Sequence, residues 1–244
     1  MDRRGAVLFD AAGTLIELRE PVGDTYSRIA RDYGVDLSPH RISDAFQPIL
    51  ARAPAMVFPS ASIHEIPALE REWWRQIVRS TFLAADPLAR FRDFEAFFDT
   101  LFHVMGRPEA WCEARGARDL LAELRSRRWA TGIVSNFDRR LLAILDSLGL
   151  APLIDAVVLA SDVGAAKPDS AIFHRALEQL GVSRCDAVVV GDDPEQDLEG
   201  ARSAGLRAID VNSLAKLSEL TDPLTDLLEA AFARPGRVTR EGVR

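Results

Sequence analysis

The segment Ala6-Val7-Leu8-Phe9-Asp10-Ala11-Ala12-Gly13-Thr14-Leu15 decides how this chain is read. Its first four residues form a short apolar run, the pattern of a buried strand. Asp10 closes the run and Gly13 supplies a turn. A carboxylate at the carboxyl end of a strand lies where open α/β sheets bind their ligands. Two positions further on stands Ala12, which cannot move a proton. The stretch therefore offers an aspartate nucleophile whose acid–base partner is missing.

The C-terminal half alternates strand-like and helix-like segments. Thr131-Gly132-Ile133-Val134-Ser135 reads as a strand, and Leu141, Leu142, Leu145 and Leu148 then recur at helical spacing up to Gly149. Ala156 to Leu159 is a further strand. Pro168 is expected to start a helix carrying Ile172, Phe173, Ala176, Leu177 and Leu180 and stopping at Gly181. Ala187 to Val190 is another strand, and Pro194 opens the next helix. Arg207 to Asp210 is the last strand. This alternation predicts an α/β fold, a Rossmann-like parallel sheet with helices on both faces.

From about Ile16 to Gly106 strand signals are weak and helical patterns take over. They run through Tyr26, Ile29 and Ala30, through Leu69, Trp73, Ile77 and Phe82, and through Phe94, Phe97, Phe98 and Phe102. The expected organisation is an α/β core from residues 1–16 and 107–234, interrupted by a helical insertion over 17–106. The aromatics of the insertion are expected to form mostly its own core, with a few facing a cleft. The polar stretch 235–244 is expected to fray.

Composition narrows the partners. A net charge of -7 over 244 residues argues against nucleic acid, which calls for basic surfaces. No apolar run approaches a membrane span, and the N-terminus has no signal-peptide pattern. Cys112 and Cys185 are far apart in sequence, which suits a reducing cytoplasm. Lysine occurs only at Lys167 and Lys216, so Lys167 stands out.

Four features fall at expected strand ends, in order: Asp10 with Thr14, Ser135 with Asn136, Lys167 before Pro168, and Asp192 with Asp193 and Asp197. On a parallel sheet they converge on one edge. Their chemical types fit one task. A carboxylate attacks a phosphorus or carbon centre, a hydroxyl and a lysine hold the anionic group, and further carboxylates hold Mg²⁺.

This order resembles the haloacid dehalogenase (HAD) superfamily. The family's D-x-D-x-T is here Asp10-Ala11-Ala12-Gly13-Thr14; its strand-end Ser/Thr is Ser135; its Lys is Lys167; its G-D-x-x-x-x-D is Gly191 through Asp197. The insertion after the first motif is similar to the helical C1 cap, and the DxxGTL form is similar to the HAD-like hydrolase 3, or REG-2-like, branch. The resemblance implies that Asp10 is nucleophile and Mg²⁺ ligand, joined by the backbone carbonyl of Ala12 and by Asp192. It implies that Thr14 and Ser135 orient the Asp10 carboxylate and the phosphoryl oxygens, that Asn136 and Lys167 help bind substrate, and that Asp193 and Asp197 lie behind the metal. For Asp193 a helix cap is an equally good reading, because it precedes Pro194.

The departure is Ala12. The family's phosphatases place there an aspartate that protonates the leaving oxygen, a role worth ~10²–10⁴-fold. Three readings follow. The first is an Mg²⁺-dependent phosphatase of a small phosphorylated or other anionic metabolite, impaired or rescued by an acid from the insertion, with Glu17, Glu20, His64 and His103 as candidates. The second is a weak or inactive binding protein, and the third a 2-haloacid dehalogenase. Phosphonatase chemistry needs a cap lysine, and none occurs between Asp10 and Lys167. The acidic fourth motif disfavours the dehalogenase. The oligomeric expectation is monomer or homodimer.

Overall fold

The computed structural model describes residues 5–224. The expected tail at 235–244 lies outside the described residues. The strands are β1 (Ala6–Phe9), β2 (Ile16–Leu18), β3 (Trp111–Glu113), β4 (Ala130–Ser135), β5 (Ala156–Leu159), β6 (Ala187–Gly191) and β7 (Arg207–Asp210). The helices are α1 (Val22–Asp32), α2 (Pro39–Ala51), α3 (Ile66–Ala85), α4 (Phe94–Met105), α5 (Ala117–Ser126), α6 (Arg140–Ser147), α7 (Ala160–Val163), α8 (Ser170–Leu180) and α9 (Gly200–Ser203). Five strands form a parallel sheet in the order β5-β4-β1-β6-β7. The first strand is thus central, and the chain order reverses around it. Its carboxyl end is the switch point where such sheets open a crevice.

The two faces follow from strand periodicity. Val7 and Phe9 point with Val188 and Val190 into a cluster that packs on α5 and α6. Ala6 and Leu8 point with Ala187 and Val189 into a second cluster against α8 and α9. Both faces are dry, so the strands read as continuous apolar runs rather than alternating ones.

Helices α1 to α4 gather a third apolar cluster of their own, built on Tyr26, Ile42, Phe82, Phe97 and Phe98. Rings interlock there: Tyr26 stacks on Phe82 at 6.4 Å and meets Phe46 edge-on at 5.7 Å. Two strands that sequence reasoning missed, β2 and β3, pair antiparallel where the chain leaves and re-enters the sheet region. This ribbon straddles the expected boundary at residues 16 and 17. Helix α2 was also missed; Ser38 caps it and Pro39 opens it. Pro168 does not start α8. It sits in a cis peptide bond after Lys167, and Asp169 caps the helix instead. Among the described residues no helix is long and apolar enough to cross a membrane.

Gly23 sets how closely α1 and α2 approach. A methyl group there would collide with the Pro39 carbonyl and the Ser43 hydroxyl. Gly23→Ala is therefore expected to lose about 1–3 kcal/mol by overpacking, read as a lower urea midpoint with an unchanged m-value.

Candidate active site

The carboxyl ends of β1, β4 and β6 and the loop before α8 meet at a cavity of about 640 Å³. Asp10 directly follows β1, and its backbone N–H donates to the Val190 carbonyl, so the central strand aims it. The next residues turn sharply: the N–H groups of Leu15 and Ile16 both converge on the Ala11 carbonyl. Gly13 has φ +99°, and a Cβ there would lie 2.5 Å from Asp192 Oδ2. Only glycine lets the turn adopt that conformation while the Asp192 carboxylate packs against it.

Lys167 is the buried cation of the site. Its ammonium donates to Asp10 Oδ1 and, at 2.6 Å, to Asp197 Oδ1. Asp10, Asp192 and Asp197 each present a carboxylate oxygen within 4.8 Å of the others. Three carboxylates against one ammonium leave two negative charges uncompensated. The titration follows. Burial pushes the Asp10 carboxyl up to about 6; Lys167 pulls it down and Asp197 pushes it further up. Burial likewise raises Asp192, with Asp197 adding to it and the Thr14 hydroxyl opposing. Burial disfavours the Lys167 ammonium, but Asp10 and Asp197 outweigh it and the lysine stays above its ordinary value. The donor set suits a hard divalent cation: all-oxygen, crowded and two charges short.

The structure gives each expected site residue its present partners. The Thr14 hydroxyl donates to Asp192 Oδ1 at 3.2 Å rather than to Asp10. Ser135 lines the cavity, and its Oγ accepts from the Phe137 N–H at 3.2 Å. Asn136 is not a free substrate ligand. Its Oδ1 accepts from the Lys167 N–H at 2.9 Å, and its Nδ2 donates to the Lys167 carbonyl and to Gln196. Its amide is spent on holding the Lys167 backbone, because the loop before α8 has no sheet partner there. Asp193 is the cap of the turn at Pro194–Glu199, accepting from the N–H groups of Glu195 and Gln196. Its own N–H donates to Asp197 Oδ2 at 3.1 Å, which completes the pairing of Asp197. Ala12 lines the cavity beside Asp10. Glu17, Glu20, His64 and His103 are all exposed and none lines the cavity. Glu20 is engaged by Thr25 and Arg28.

Sequence reasoning also missed the joint between the helical insertion and the sheet. Glu70 of α3 is buried and accepts from the Ser161 hydroxyl at 2.5 Å and from the Arg139 N–H at 3.3 Å. Burial raises its carboxyl against the pull of Ser161 and Arg139. Trp74 Nε1 donates to the buried Asp138 at 2.6 Å. Arg140 pairs with the same Asp138 and donates to the Phe102 carbonyl at 2.9 Å, with its guanidinium 3.8 Å from the Phe102 ring centre. The loop after Ser135 is thereby tied to α3 and α4.

The model of the haloacid dehalogenase-like hydrolase family matches residues 5–205. This chain belongs to that family. A Mus musculus relative, haloacid dehalogenase-like hydrolase domain-containing protein 3, is 34% identical over 241 residues, spanning 91% of this chain and 94% of that one. The phosphoserine phosphatase of Thermus thermophilus is 29% identical over 221 residues, 83% of this chain and 86% of that one. Among solved structures, a HAD phosphatase from Thermococcus onnurineus aligns with a TM-score of 0.61 at 26% identity, covering 90% of this chain and 97% of that chain.

Asn136→Ala removes three hydrogen bonds and orphans the Lys167 N–H. A loss of roughly 1–3 kcal/mol is expected, measured by urea denaturation of the two proteins side by side.

Proposed function

We propose that this HAD-like hydrolase is an Mg²⁺-dependent phosphatase. It acts on a small phosphorylated metabolite through an aspartyl phosphate on Asp10, at a rate held down by Ala12. Residues 17–106 act as its cap, and the protein works in the cytoplasm, as a monomer or homodimer, with neither nucleic acid nor membrane as partner. The observation that carries the reading is the Asp10 carboxylate, gripped by Lys167 at the cavity wall beside an under-compensated acidic cluster. A dehalogenase attacking carbon has no use for that excess negative charge. The phosphatases among the relatives support the same choice.

Asp10, Asp192 and the backbone carbonyl of Ala12 would hold Mg²⁺. When bound, the ion offsets the negative charge of the incoming phosphoryl group. The chain's own residues do the rest. An Asp10 oxygen attacks phosphorus, the bond from phosphorus to the ester oxygen breaks, and that oxygen leaves with the electron pair as an alkoxide, which takes its proton from water. Lys167 keeps Asp10 ionised despite its burial and neutralises charge at the phosphoryl oxygens. Ser135 contributes a hydroxyl to those oxygens. Water then displaces the phosphoryl group from Asp10 and releases phosphate. Ala12 supplies no proton at either step.

Asp10→Asn is expected to abolish hydrolysis of phosphate monoesters. Ala12→Asp is expected to raise turnover of alkyl phosphates by ~10²–10⁴-fold, the usual worth of a placed general acid. A steady-state phosphate-release assay decides both. If Asp10→Asn costs nothing, the reading falls.

Cation binding must compete with protons on the raised carboxyls. Asp10 titrates near pH 6, so below that value it binds a proton and above it is free for a cation. Mg²⁺ is therefore expected to raise the melting temperature more at pH 7.5 than at pH 5, as followed by scanning calorimetry.

A further inference from the structure

The cavity has two unlike ends. At the sheet end stand Asp10, Lys167 and Asp192. At the other end, every side chain that residues 17–110 contribute to the lining is uncharged. The wall there is mostly apolar, and Phe46, Trp73, Trp74 and Phe102 give it aromatic surface. The indole N–H groups are already committed, Trp73 to the Pro54 carbonyl and Trp74 to Asp138. Arg140, the cation contributed here by the sheet domain, is neutralised by Asp138. A polyhydroxylated leaving group would give up its water to such a wall for little return, at ~1–3 kcal/mol for each unpaired hydroxyl.

The second observation is that neither position 12 nor the insertion brings an acid to the cavity. Position 12 is alanine, and none of the four titratable candidates lines the cavity. Tyr26 is the one side chain among residues 17–110 that brings a titratable proton to the lining. Its ring is buried against Phe46 and Phe82, and its hydroxyl has no hydrogen-bond partner among the described residues. Burial pushes that phenol above its ordinary value, which makes it a hydrogen-bond donor but a poor acid. Asp193 and Glu195 line the cavity from the turn after β6, and Asp193 is spent on capping that turn. With alanine at position 12, the ester that departs most readily is one whose leaving oxygen is stable as an anion. A phenol, with a pKa of about 10, gives such an anion. An alkyl alcohol near the ~15.7 of water does so far less readily.

Taking the phosphatase reading as its basis, we propose that the substrate is the phosphate monoester of an aromatic hydroxyl, seated with its ring against that aromatic surface and within reach of Tyr26. Attack by Asp10 on phosphorus breaks the bond to the aryl oxygen, and aryloxide leaves with the electron pair. Water then breaks the bond from phosphorus to Asp10. Its oxygen goes to phosphate, and its protons are shared between phosphate and the aryloxide through solvent. The sum is aryl phosphate plus water giving phenol and inorganic phosphate.

The test compares phenyl phosphate with cyclohexyl phosphate, which match in size and differ in leaving-group acidity, and both with glucose 6-phosphate. Phenyl phosphate should exceed cyclohexyl phosphate in kcat by at least about a hundredfold, at similar KM, and Ala12→Asp should collapse that gap. Glucose 6-phosphate should show the highest KM. Without turnover, phenylphosphonate should quench tryptophan fluorescence roughly tenfold more tightly than methylphosphonate, a difference of about 1.4 kcal/mol. Equal rates for the phenyl and cyclohexyl esters, preference for the sugar phosphate, or equal affinity of the two phosphonates overturns the proposal and leaves the phosphatase reading intact. No turnover of any ester, with Asp10→Asn indistinguishable from the parent, overturns both.

Discussion

The buried ammonium of Lys167, shared between Asp10 and Asp197, is the constraint on which the site depends. Stripping an ion of water costs several kcal/mol, repaid only by a well-placed counter-charge with its remaining lone pairs satisfied. Each partner comes from a different part of the chain. Asp10 ends the central strand, Asp197 sits in the turn after β6, and Lys167 lies in the loop before α8. None of the three can move without stranding a charge. The Asn136 clamp on the Lys167 backbone and the Asp193 N–H on Asp197 hold the remaining degrees of freedom. The triad thus ties together the loops above the sheet, and its excess negative charge suits it to a cation.

The same economy shapes the helical insertion. Helices α1 to α4 bury their own rings first, in a cluster separate from the two that flank the sheet. Polar contacts join them to the sheet region: Glu70 to Ser161 and Arg139, Trp74 to Asp138, and Arg140 to the Phe102 carbonyl. All but the Ser161 contact fall on residues 138–140, just past Ser135. The strand end that offers a hydroxyl to the cavity is therefore tied by hydrogen bonds to helices α3 and α4.

Legibility in the sequence followed the range of the forces involved. Strand and helix positions in the sheet region were readable because burial on both faces writes continuous apolar runs and 3.6-residue spacing into local sequence. Asp10 and Asp192 directly follow strands of the parallel sheet, as their apolar runs predict, whereas Lys167 lies in the loop after α7 and Asp197 in the turn after β6. Other features were not readable. The β2–β3 ribbon joins three-residue strands about 95 residues apart, too short to carry a period. Asn136 looked like a ligand because its partners lie 31 and 60 residues away. The family resemblance implies that Thr14 orients Asp10; in the structure the turn at Gly13 carries its hydroxyl to Asp192. Glu70 gave no signal at all, since a glutamate on a helix is ordinarily solvated.

Ala12 is where these threads meet. In a site whose charges are pinned this tightly, losing a carboxylate relieves repulsion as well as removing a proton carrier. A further acid beside Asp10, Asp192 and Asp197 would add to the excess that already raises Asp10 and Asp192. With alanine there, the acidic cluster carries one charge fewer, and a methyl group lines the cavity beside Asp10. On the reading proposed above, the labour would divide between protein and substrate: the chain supplies a nucleophile, counter-charge and an apolar surface, and the leaving group supplies the acidity. Such a site would gain selectivity from chemistry rather than from contacts, since esters that need a proton to depart would bind but turn over slowly.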